Sequence, residues 1–175
     1  VQVKLDGREY YLDPTNQGQA GLLSRLGQRL EGAAVLPIDA ETQALVTVRS
    51  PDRDEVFRNQ LHERLSLDEI GGEGRLEVDT EWVGATAESL RLLLLRMEPA
   101  ELRRFVAAGY EEQYAGSRLV GEPEISDDRR LNRLRIHARF VLPQLAQAVG
   151  RGWAVSFAPS LGNDIALPPQ PLRRF

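Results

Sequence analysis

"RLRIHARFVLP", residues 133–143, alternates strictly between two kinds of side chain. Leu134, Ile136, Ala138 and Phe140 fall on one side; Arg133, Arg135, His137 and Arg139 fall on the other. A period of two is that of a β-strand with one face in a core and one in water. One-sided burial of this kind goes with an antiparallel sheet.

The segments on either side supply the rest of that sheet. In residues 56–83, Leu61, Leu65 and Leu67 share one face of "LHERLSLDEI", "GGEG" turns the chain, and Leu76, Val78 and Trp82 line one face of the return. This predicts a β-hairpin. Two helices are predicted next. One covers about Thr86 to Met97. The other opens with Pro99 at a first helical position and carries Leu102, Phe105, Val106 and Tyr110 on one stripe before Gly116. "SRLVGEPEIS" (117–126) reads as extended, with a turn at Asp127-Asp128 before the opening segment. "GWAVSF" (152–157) puts Trp153, Val155 and Phe157 on one face, and a proline-rich "LPPQPLRRF" closes the chain. Strands, then a helical pair, then strands predict an α+β fold, with the helices on one face of an antiparallel sheet. Leu65, Leu67, Leu76, Val78, Leu134, Ile136, Phe140, Val155 and Phe157 are its expected shared core.

Upstream, "VQVKLDGREYYL" (1–12) is a second hairpin signal: Val1, Val3 and Leu5 alternate, and Asp6-Gly7 suits a type I′ turn. Pro14 has no N–H to give to a ladder and ends it. Leu22, Leu23, Leu26 and Leu30 have helical spacing, with Gly32 as the stop. "AAVLPID" (33–39) and "ALVTVRSP" (44–51) read as short strands.

Composition narrows the function classes. Of 175 residues, 42% are hydrophobic and 27% charged, a globular rather than a disordered balance. A net charge of −4 gives no general attraction to nucleic acid. The longest apolar run, Leu92 to Leu95, is too short to span a bilayer, so no membrane insertion is expected. Without cysteine the chain has no disulfide, thiolate metal site or cysteine nucleophile. His62 stands beside Glu63 with no companion ligands, so no metal and no cofactor is expected.

Four groups remain as candidate sites. Arg133, Arg135, His137 and Arg139 form either a solvated outer face or an anion-binding face for carboxylates or an acidic partner segment. Glu111-Glu112 and Glu122–Glu124 read as solvated acidic clusters; paired carboxylates act on glycosides only at defined separations. Trp82, Trp153, Tyr110 and Tyr114 suit either a core or a sugar-binding groove. Asp13, between an aromatic strand and Pro14, reads as a turn residue or as a carboxylate that orients a catalytic histidine.

"LDGREYYLDPTNQGQ", "GRLEVDTEWVGATAESLRLLL", "YEEQYAGSRLVGEPEISDDRRLNRLRIHARFVLP" and the closing "LPPQPLRRF" together resemble the C-terminal part of bacterial transglutaminase-like proteins. These have a papain-like Cys-His-Asp core. The subgroup is exported and multi-domain, with a β-rich domain of unknown function ahead of the core. The resemblance implies that Asp13 is the third triad member, with Tyr11 where the family has an aromatic residue, often tryptophan. The cysteine and histidine would then lie upstream of Val1. It further implies that residues 1–20 are the terminal hairpin of the core and 21–175 a C-terminal accessory domain. The chain would be non-catalytic, pack on the core of the same polypeptide, and be periplasmic or extracellular. The alternative is a free-standing module that binds peptide or cell-wall glycan on the helix-free face. The hairpin's apolar side chains also suggest self-association.

Overall fold

The computed structural model describes residues 1–26, 30–38, 40, 42–49 and 57–155. Ten strands and two α-helices lie among them: β1 (Gln2–Leu5), β2 (Arg8–Tyr11), β3 (Ala34–Val35), β4 (Val46–Thr47), β5 (Phe57–Leu67), β6 (Gly74–Gly84), α1 (Ala85–Leu94), α2 (Pro99–Gln113), β7 (Arg118–Asp128), β8 (Arg133–Leu142), β9 (Ala146–Val149) and β10 (Gly152–Val155). The fold is α+β, as the alternation and the helical pair predict.

The main sheet has four antiparallel strands in the order β5-β6-β8-β7. Its register sets Leu65 against Leu76, Leu76 against Phe140, and Val78 against Ala138. Leu76, Val78, Ala138, Phe140 and Leu142 form one buried cluster with Leu145. Leu65, Leu67, Val106, Tyr110 and Tyr114 pack against it. A second cluster, Ala87, Leu134 and Ile136, packs with Trp82, Leu90 and Leu94. Helices α1 and α2 thus cover the face bearing Phe140, and the Tyr110 ring lies 4.7 Å from that of Phe140. Pro99 occupies the first turn of α2, where its missing N–H has no intrahelical partner to lose.

Four expectations need correction. Val155 is 55% exposed and does not join this core. It lies on β10, which pairs only with β9 among the described residues. A period-two pattern identifies a strand but not the sheet it joins. Instead, Trp153 of that hairpin lies over Gly71, where an added Cβ would fall 2.7 Å from its ring. Phe105, assigned to the inward stripe of α2, is 49% exposed, while Val106 and Tyr110 face the core. Leu23–Arg25 form a single 3-10 turn rather than a longer helix, after Gly21 at φ 103°, a left-handed backbone that does not start a helix. Asp127 and Asp128 end β7, and the turn lies at 129–132, closed by Leu131 N donating to Asp128 Oδ1 at 2.9 Å. Phe157 and "LPPQPLRRF" (167–175) lie outside the described residues.

Candidate functional site

Strands β1 and β2 pair from Gln2↔Tyr11 to Leu5↔Arg8, with Asp6 and Gly7 both at positive φ in the turn. The hairpin forms its own two-stranded sheet rather than extending the main one. Its surface carries a small polar set. Lys4 Nζ lies 3.3 Å from Glu9 Oε1, and Tyr11 donates its hydroxyl to Glu9 Oε2 at 3.2 Å. The Lys4 contact holds the Glu9 carboxyl below its usual range. Desolvation, reinforced by Glu9, pushes the Tyr11 phenol up.

Asp13 follows β2 directly. Its Oδ1 accepts the backbone N–H of Thr15 at 3.0 Å and the Thr15 hydroxyl at 2.6 Å, while Asn16 N donates to Asp13 O at 3.0 Å. This is the hydrogen-bonded turn that aspartate before proline favours. The Asp13 backbone N–H is held by Gln19 Oε1 at 3.1 Å.

The loop beyond Asp13 is anchored to the main sheet by polar groups that sequence reasoning does not single out. Asn16 Nδ2 donates to Glu88 Oε2 at 3.1 Å, and Asn132 Nδ2 donates to Glu88 Oε1 at 2.8 Å. Glu88 is fully buried on α1. One turn on, Arg91 Nη2 and Nε clasp Asp127 at 2.7–3.0 Å, and Arg91 Nη1 donates to Gly18 O at 2.9 Å and Asn132 Oδ1 at 3.2 Å. Each buried charge therefore has several partners, the condition under which burial is tolerated. Gly18 is confined by closeness: a Cβ there would fall 2.4 Å from the Glu88 carbonyl oxygen. The boundary expected at residue 20 runs through this network, with Asn16 and Gly18 on one side and Glu88, Arg91 and Asn132 on the other. The legible signal is the i,i+3 pair Glu88 and Arg91, the charged residues of an otherwise uncharged helix, which marks a buried pair only if something polar covers it.

Between the hairpin, this loop and β3–β4 lies a cleft of about 700 Å³. Asp13, Asn16, Gln2 and Gln19 form its polar part; Tyr11, Leu12, Val35 and Pro37 are among the rest of its wall. Val1, Leu30, Leu36 and Ile38, also in the wall, are exposed, Ile38 completely.

The arginine stripe lies on the opposite, helix-free face of the main sheet. Glu81 of β6 is buried among three arginines: Arg135 Nη2 at 3.0 Å, Arg133 Nε at 3.5 Å and Arg58 Nη2 at 3.5 Å. His137 Nδ1 lies 3.2 Å from Asp79 Oδ1, and Arg139 Nη2 lies 3.2 Å from Glu124 Oε1. All four stripe residues thus face carboxylates of neighbouring strands. His62 and His137 share a cross-strand row through Asp79 but lie on the other side of the sheet from the helices. The described residues hold no group of three or more His, Asp and Glu side chains arranged to bind a metal ion. Searches with family models, among curated proteins and among solved structures find nothing that matches this chain.

Proposed function

We propose that residues 21–175 are a non-catalytic accessory domain packed on a transglutaminase-like core of the same polypeptide, and that residues 1–20 are the terminal hairpin of that core and carry Asp13. The observation that carries this reading is the cleft next to Asp13. Its rim of exposed Val1, Leu30, Leu36 and Ile38 is the kind of apolar surface that a neighbouring domain covers. In the triad role, the Asp13 carboxylate accepts a histidine N–H, fixes the ring tautomer and stabilises the imidazolium that forms as a cysteine attacks an acyl group. The turn to Thr15 and the anchor from Asn16 to Glu88 support that role by setting the direction of the carboxylate. The enzyme as a whole would be a protease or transamidase.

The free-standing glycan-binding reading has less support. Sugar sites stack ligands on aromatic rings. The helix-free face presents no Phe, Tyr or Trp among the described residues of its four strands. The polypeptide extended upstream of Val1, assayed for thiol-dependent acyl transfer, separates the readings. Turnover that requires both an upstream cysteine and Asp13 supports the accessory role. An extended polypeptide without such a cysteine overturns it.

A further inference from the structure

The helix-free face is ordered by charge, strand by strand. β5 presents Arg58, Gln60, His62 and Arg64, and β6 presents Glu77, Asp79 and Glu81. β8 presents Arg133, Arg135, His137 and Arg139, and β7 presents Glu124 and Asp128. Except at the end of the sheet by Val141, where Arg75 of β6 and Arg118 of β7 also lie on this face, basic and acidic columns alternate, the arrangement that cross-strand electrostatics favours. The basic column of β8 has carboxylates on both sides. Among the described residues, that of β5 has them on one side only: Arg58 meets Glu81 at 3.5 Å and Arg64 meets Glu77 at 3.4 Å. Among the described residues no strand pairs with its other side. The Arg64 side chain is 81% exposed.

The two edges of the sheet also differ in backbone. β7 is blunted. Its register breaks between Val120 and Glu124, where Gly121 at φ 72° and Pro123 interrupt the ladder. Arg103 of α2 donates to the backbone carbonyls of Leu119, at 3.2 Å, and of Gly121. Bulges, prolines and capped carbonyls of this kind keep an edge from recruiting further strands. Among the described residues β5 has none of them. Its eleven residues pair with β6 in unbroken register, without proline or glycine. Such an edge offers a row of N–H and C=O groups to an incoming strand.

We propose that the free edge of β5 binds an extended acidic segment of a partner protein as a fifth strand. Its alternate carboxylates would face Arg58, His62 and Arg64, and its intervening apolar residues would lie beside Leu61 and Leu65 on the helix side. A second copy of this chain fits less well, because antiparallel β5–β5 pairing sets a basic column against a basic column. The inference is independent of the role of Asp13.

The test uses the chain itself and two blocked synthetic peptides, one alternating Glu and Val, the other Lys and Val. Amide exchange is followed residue by residue. The Glu-Val peptide should slow exchange at alternate β5 amides, those pointing away from β6, and leave β7 unchanged. Arg64→Glu, at an exposed position, should weaken its binding about tenfold and improve that of the Lys-Val peptide. Three results would overturn the proposal: no slowing in β5, equal slowing by both peptides, or slowing that follows protein concentration without peptide, which would mean self-pairing.

Discussion

The side-chain amide of Asn16 lies 3.1 Å from Glu88 Oε2, joining residues 72 positions apart in the buried interior. Through this contact the loop after Asp13 becomes part of the α1 face of the main sheet. Removing the donor takes a hydrogen bond away from a fully buried carboxylate that Asn132 also holds. Asn16→Ala should therefore lower stability by about 1–3 kcal/mol in urea unfolding, without a change in m-value. Gly18→Ala should also be destabilising, because the new methyl meets the Glu88 backbone oxygen. Wild-type midpoints for both variants would show that the loop is not anchored there.

Phe140 and Val155 form a matched pair of truncations. Phe140→Ala removes a ring at 2% exposure from the centre of the core and should cost about 3–5 kcal/mol. Val155→Ala, at 55% exposure, should stay within about 0.5 kcal/mol of wild type. Equal losses would place Val155 in the main core after all.

That contrast shows what the sequence makes legible. Alternation in 133–142, the "GGEG" turn and Pro99 at a helix start are local signals, and each marks its element within a few residues. Membership of a sheet is not local. "GWAV" has the same period as β8 but pairs with the short β9, leaving Val155 in solvent. Leucines at 22, 23, 26 and 30 carry a helical period, yet Gly21 at positive φ and the tethering of Leu22 N to Arg130 O at 3.2 Å set a different path. Asp13 is legible as a turn residue through Pro14. The network behind it is not, because Asn16, Glu88 and Asn132 are ordinary polar residues until the fold brings them together.

The hairpin polar set predicts a pH effect. Tyr11 has a raised pKa, so the folded state holds its proton more tightly than the unfolded chain does. Its contribution to stability is present below the ordinary tyrosine value of 10.0 and is lost as pH rises through the higher folded value. Ultraviolet titration should show a tyrosine component above that ordinary value, and Tyr11→Phe should remove it. An unchanged titration curve in the variant would refute the assignment.

The β1–β2 hairpin pairs only with itself among the described strands, and isolated two-stranded ladders are marginal in water. Amides in 2–11 should exchange much faster than those in 133–142 in dilute solution. Equal protection would mean that the hairpin is held as firmly as the core sheet.

The placement of Asp13 in a Cys-His-Asp triad is tested most directly by acyl-transfer kinetics on the polypeptide extended upstream of Val1, with and without Asp13→Ala. The substitution should lower kcat by a factor on the order of 10⁴, as loss of the histidine-orienting carboxylate does, while residues 1–175 alone show no turnover. Full activity in the variant, or turnover by residues 1–175 that Asp13→Ala abolishes, would contradict the triad role.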